Sequence, residues 1–182
     1  DPNAPAETMD AWQVLEENNW EERQIPVTRA VIGHGIAYVK VLPAKSPLTG
    51  EDSATVRGVS GKRMAAFYDD LDDEWASYAI EVDEQPNKAS NGEEYFFVRF
   101  YDDRAVHFLR FKGLGTEPND WEYYGPEIIH DLGVVPVIRK TNRIDLDGHA
   151  IGEIEPVIPL LRRIDQDTFD RLIVQRFGAC KV

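Results

Sequence analysis

Cysteine is almost missing from this chain: Cys180 is the single one in 182 residues. One thiol cannot form an internal disulfide or build a thiolate metal site, so the fold does not rest on oxidation. A reducing, cytoplasmic place of synthesis is the expectation. Long apolar runs are missing too. No stretch approaches the ~20 residues needed to cross a bilayer, and the opening DPNAPAETMDAW has neither the basic nor the apolar region of a secretory leader. No membrane partner is expected. Positive charge is scarce: 20 Lys and Arg stand against 33 Asp and Glu, a formal charge of −13. Phosphate binding works by neutralisation with Lys and Arg and by counterion release, so a DNA reader is excluded. Histidines are few and scattered. His34, His107, His130 and His149 lack the His-x₃-His spacing of a zinc helix. His107 alternates with Leu109 and Phe111, as a half-buried strand residue would.

The remaining composition, 42% hydrophobic and 29% charged, is ordinary for a globular protein. The length fits one domain, 1–182, with a substantial core. Helices are expected over 8–34, with Thr8 as an N-cap and Asp10 in the first turn. Met9, Trp12 and Leu15 supply the helical rhythm, and Glu16 to Arg23 form a solvated stretch. Pro26 is expected to open a second short helix that ends near Gly33 to Gly35. A β-rich body should fill 36–141, with strands at Ile36–Leu42, Thr55–Val59, Met64–Tyr68, Trp75–Val82, Trp121–Tyr124 and Val134–Ile138. Pro43 to Ser53 reads as a loop. The clearest hairpin pairs Glu94–Tyr101 with Ala105–Phe111 and turns at Asp102-Asp103-Arg104. Its aromatics alternate onto both faces, so the sheet is covered on both sides or has one face against another subunit. A helix is expected over 155–178. The sum is an α+β fold: a mostly antiparallel β body flanked by an N-terminal helix pair and a long C-terminal helix.

Candidate chemistry is thin. Asp69-Asp70, Asp72-Asp73-Glu74 and Asp102-Asp103 could gather oxygen ligands for a divalent cation. Two such pairs follow Tyr68 and Tyr101, the superficial pattern of a two-metal polymerase site. Aspartate is also what solvated turns favour, through hydrogen bonds to the local backbone. Gly33-His34-Gly35 and Gly113-Leu114-Gly115 lack the third glycine or following lysine of a phosphate loop and read as turn or cap glycines. No catalytic, cofactor-binding or metal residue is assigned, no cofactor is expected, and the chain is not read as an enzyme. Arg139-Lys140-Thr141-Asn142-Arg143 is the one basic cluster, read as a solvated loop between elements.

The end of the chain is the most specific part. Pro156 and Pro159 fall in the first turn of the final helix, where no intrahelical N–H is lost. Ile158, before Pro159, is less suited to helical geometry, which leaves Pro159 as an alternative start. Val157, Leu161, Ile164, Thr168 and Leu172 make one stripe; Phe169, Ile173 and Phe177 make a second. A helix apolar over so wide an arc is normally enclosed by its own domain or by neighbouring subunits. No polar tail follows it before Val182, so a longer parent polypeptide is expected.

The ordered set Leu132-Gly133-Val134-Val135-Pro136-Val137-Ile138, Asn142-Arg143, Leu146-Asp147-Gly148 and Gly152 to Leu160 resembles the portal proteins of tailed bacteriophages. The likeness is to those of long-tailed phages and prophages of actinobacteria. Arg163-Ile164-Asp165 and Phe169-Asp170-Arg171-Leu172 fit the same pattern, as do His34 to Val39 and Phe67 to Asp70 upstream. Arg139-Lys140 departs from it. The resemblance implies a fragment covering mainly the wing, with the final helix leading to a stem outside this sequence. It further implies a homo-oligomeric ring, usually of about twelve subunits, at the capsid vertex of the virion. Double-stranded DNA would pass through it without sequence specificity. Terminase, scaffold or major capsid protein and head–tail connector proteins would be partners, with assembly in the host bacterial cytoplasm. Arg163, Phe169, Leu172 and Phe177 are the expected subunit-contact surface. Two other readings stay open: a non-viral α+β adaptor that holds a peptide or protein on its aromatic sheet face, and a metal-dependent nuclease or hydrolase on the acidic pairs.

Overall fold

The computed structural model describes residues 6–46, 50–70, 74–83, 86–88, 93–112 and 120–178. Helix α1 (Ala6–Glu17) and helix α2 (Trp20–His34) form an N-terminal pair. Strands β1 (Ile36–Lys45), β2 (Asp52–Ser60), β3 (Met64–Phe67), β4 (Tyr78–Val82) and β5 (Asn87–Lys88) follow. Then come β6 (Glu94–Tyr101), β7 (Ala105–Phe111), β8 (Trp121–Tyr123), β9 (Ile128–Ile129) and β10 (Val137–Thr141). Strands β11 (Arg143–Ile144) and β12 (Ala150–Ile151) make a small hairpin of their own. A 3₁₀ turn, Glu155–Val157, leads into helix α3 (Ile158–Gly178).

Alternation along β1 sorts these elements into three layers. Strand β1 is central in an antiparallel sheet of order β10-β1-β2. Its odd positions, Ala37 and Val39, pack with Val56 of β2 against Val27 of α2, with Leu15 and Val31 at the margin. Its even position Tyr38 packs with Val59 and Val137 against Met64, Ala79, Tyr101 and Val106 of the second sheet. That larger sheet runs β3-β4-β6-β7-β8, with β5 on β6 and β9 on β7. Helices, small sheet and large sheet are therefore stacked in that order, as expected for elements that each bury one apolar face. The α+β architecture matches the expectation, and the β6–β7 hairpin has the predicted bounds. Asp102 Oδ1 holds its turn by accepting from the N–H groups of Arg104 (2.8 Å) and Ala105 (2.6 Å).

Four local expectations are corrected. Thr8 lies inside α1 rather than capping it. Helix α2 starts at Trp20 and contains Pro26 internally; Glu22 and Pro26 are exposed, so water can satisfy the carbonyl that the proline leaves unpaired. Pro43 sits in β1, opposite Ala54. The Val41 N–H points to Pro136, and Pro43 faces the same way, beyond the last β10 pair at Lys40–Val137. Its missing donor therefore interrupts no ladder. Finally, Arg139 and Lys140 belong to β10, not to a solvated loop. The Arg139 guanidinium lies over the Tyr68 ring at 4.0 Å.

A buried asparagine helps fasten the two helices to the sheet, beside the bond from Ser53 Oγ to Glu17 at 3.1 Å. Asn18, buried in the α1–α2 turn, donates to the Val14 carbonyl at 2.8 Å and the Ala54 carbonyl at 2.7 Å. Its Oδ1 accepts from Val56 N–H at 2.9 Å. Asn18→Ala leaves these strand groups without their partner and is expected to cost roughly 1–3 kcal/mol. Denaturant unfolding measures it, and Asn18→Asp should recover little, because it cannot donate to either carbonyl.

Candidate assembly surfaces

No group of three or more His, Cys, Asp and Glu among the described residues is arranged to hold an ion. Asp72 and Asp73, Gly113 to Gly115 and Cys180 lie outside the described residues. Asp102 is occupied by its own turn and by His107, whose Nε2 lies 2.8 Å from Oδ2. Burial pushes the Asp102 carboxyl up, but the N–H groups of Ala105 and Arg104 and the His107 ring hold it below the usual range. The other ring nitrogen of His107 lies 3.1 Å from Glu127. This histidine ties a hairpin end to the following segment.

The strongest electrostatic feature is internal. Lys40 from the small sheet reaches Glu81 of β4 at 2.6 Å, and Tyr101 donates to the same oxygen at 2.6 Å. Arg63 and Arg99 approach the other oxygen at 3.4 and 3.5 Å, and both also contact Asp83. Burial pushes the Glu81 carboxyl up, and Lys40, Tyr101 and Arg99 more than offset this, leaving it below its ordinary value. Burial and the neighbouring carboxylate push the Tyr101 hydroxyl far above the usual tyrosine range. This network ties the two sheets together. The sequence carried a signal for it that went unread: Lys40 in IAYVKVL and Glu81 in YAIEV are charges at inward positions of apolar strands.

Two large surfaces face outward. The first is α3, none of whose described residues is buried. Phe169 and Leu172 are 59% exposed and Phe177 67%, and Arg163 is exposed as well. These four predicted contact residues span about half the helix circumference at 3.6 residues per turn. Helix α3 carries Arg162, Arg163, Arg171 and Arg176 against Asp165, Asp167 and Asp170, a slight positive excess in a strongly acidic chain.

The root of α3 is fixed by a backbone seam. Gly35 caps α2 at φ 82°, its N–H donating to the Val31 carbonyl. Glu153 N–H donates to the Ile32 carbonyl at 2.8 Å, and Asn142 N–H to the Gly35 carbonyl at 2.9 Å. Gly152 lies so close to α2 that a Cβ there would stand 2.5 Å from the Gly33 oxygen. The glycines of Gly33-His34-Gly35 are thus helix-end residues, as their spacing suggested.

The second surface is the outer face of the large sheet. Phe67 stacks on Tyr78 at 4.6 Å, and Tyr78 on Phe100 at 5.6 Å. A parallel track runs from Phe96 to Phe111 (5.2 Å) and on to Trp121 (4.7 Å). Phe67, Tyr78 and Trp121 are exposed. Of the two coverings expected for this sheet, the small sheet supplies one, and no described element lies over the aromatic tracks.

No curated protein sequence matches the chain. Residues 4–179 match the family described as "Phage portal protein, SPP1 Gp6-like". The match takes in the helix pair, both sheets and all of α3, and with it the chain belongs to the SPP1 Gp6-like family of phage portal proteins.

Proposed function

We propose that this chain is a single-domain wing region of a portal subunit from a phage or prophage of actinobacterial type. It would contribute the outer body of a ring, usually of about twelve subunits in such portals, at the capsid vertex. The observation that carries the reading is the family match over residues 4–179. The ring would pass double-stranded DNA without reading it, a role compatible with the charge of −13. Terminase would dock on the assembled ring during packaging, and scaffold or major capsid protein and head–tail connector proteins would bind the same assembly. Helix α3, with Arg163, Phe169, Leu172 and Phe177, would supply subunit contacts. Its exposed apolar residues support this, because a helix apolar over most of its circumference is normally enclosed.

The test is the mass of the parent polypeptide by light scattering, alongside Phe169→Glu/Leu172→Glu in the same polypeptide. A closed ring for the parent, and smaller species for the variant with unchanged circular dichroism, are the expected results. A parent that stays monomeric over a wide range of concentration and salt overturns the proposal. A ring unaffected by the substitutions removes α3 from it.

A further inference from the structure

The two outward surfaces lie at opposite ends of the layer order. Helix α3 is rooted at the end of α2 through the Gly35–Gly152 seam, in the helical layer. The aromatic tracks are on the outer face of the large sheet, beyond the small sheet from those helices. A helix held at its root on one side is badly placed to fold back across two sheets onto the other. Two such surfaces on one chain are complementary in a head-to-tail sense, and contacts of that kind close into rings or propagate as filaments.

Resting on the reading of α3 as a subunit contact, we propose its receptor: α3 of one copy lies across the aromatic outer face of the large sheet of a second copy. Dimensions agree. With 21 residues, α3 is about 30 Å long at 1.5 Å per residue. The path β3-β4-β6-β7-β8 measures about 20 Å between its outer strands at ~4.8 Å spacing. Chemistry agrees as well. The sheet offers flat aromatic rings, and α3 offers Leu161, Leu172, Phe169 and Phe177, all at least half exposed. Charge points the same way. Asp102 and Glu127 flank the His107 end of the aromatic track, and α3 is a cationic element of an acidic chain.

Complementation tests this contact. Phe169→Glu/Leu172→Glu damages the helix, and Phe67→Glu/Trp121→Glu damages the face at exposed positions. Each variant alone should associate about thirtyfold or more weakly than the parent in sedimentation velocity, as for loss of hot-spot residues. Mixed, they should recover a heterodimer, because one copy retains an intact helix and the other an intact face. A photoreactive benzoylphenylalanine at position 169 of the otherwise unaltered chain reports the same contact without disturbing the sheet. It should cross-link to strands β3 to β8 of a second copy. Cross-links between copies that map elsewhere, or a face variant that assembles like the parent, overturn this docking while leaving α3 a subunit contact. Cross-links confined to the polypeptide that carries the probe overturn both, and so does a chain that stays monomeric to its solubility limit.

Discussion

Glu81→Ala is expected to destabilise the protein by about 3–5 kcal/mol, the usual cost of removing one partner from a buried ion pair. Glu81 is 3% exposed, and its loss takes the carboxylate from Lys40 and leaves Arg63 and Arg99 with Asp83 as theirs. It also leaves the Tyr101 hydroxyl, in a fully buried residue, without its acceptor. The charged pair itself is a different quantity. Replacing Lys40 and Glu81 together by Met and Leu should cost less than the two single changes added together, because Lys40 is no longer left as an orphaned charge while Arg63 and Arg99 keep Asp83. Chemical unfolding of the four proteins closes the cycle. A double variant as unstable as the sum of the singles would deny that the two residues act as a pair.

The same network predicts a pH dependence whose sign follows from Glu81. Its carboxyl is held below the ordinary value of 4.5 in the folded protein. The unfolded chain therefore takes up this proton at higher pH than the folded one. The contribution is complete above 4.5 and is lost as pH falls through the folded value. The stability gap between the parent and Glu81→Gln should thus be constant near neutrality and narrow on acidification below that point. Asp102 is also held low, but it is common to both proteins and cancels in the difference.

What could be read in advance followed from local rules, and what could not depended on tertiary partners. The β6–β7 hairpin was legible because its alternation and its Asp turn are properties of adjacent residues. Helix α3 was legible from its period, and Ile158 ahead of Pro159 proved compatible with helical geometry: its φ and ψ are −54° and −46°. The start of α2 was not legible, because the cost of Pro26 depends on which side of the helix meets water. The extent of β10 was hidden because Arg139 reads as a loop residue until Tyr68, 71 positions earlier by sequence number, supplies a ring for it. Lys40 and Glu81 stand as single charges in apolar strands and drew no reading, because their pairing needs the two sheets to be stacked. The helix residues Arg163, Phe169, Leu172 and Phe177 were named through the family resemblance, and the structure leaves all four exposed. The aromatic face was foreseen as two alternatives, and only the layer order shows which side the small sheet covers.

The second large effect is expected at the seam beneath α3. Gly152→Ala places a Cβ 2.5 Å from the Gly33 oxygen and 3.0 Å from the Gly35 nitrogen, both backbone atoms that no rotamer change can move. The two segments must separate, at the roughly 1–3 kcal/mol typical of overpacking. Gly35→Ala meets the same obstacle from the other side, 2.6 Å from the Ala150 oxygen, and adds a left-handed backbone at φ 82°. That conformation alone costs a non-glycine residue about 1–2 kcal/mol, so Gly35→Ala should be the worse of the pair. Gly133→Ala separates the terms: its φ is 69°, and a Cβ there meets nothing within 4 Å. It should show only the backbone penalty. Amide exchange at Glu153, bonded to the Ile32 carbonyl at 2.8 Å, is the local readout. It should accelerate in Gly152→Ala and Gly35→Ala and stay unchanged in Gly133→Ala. Because α3 is held to the body through this seam, the same two variants should also weaken the subunit contact proposed for α3 while their sheets remain folded. Normal exchange at Glu153 in Gly152→Ala would mean that the close approach is not what holds the helix in place.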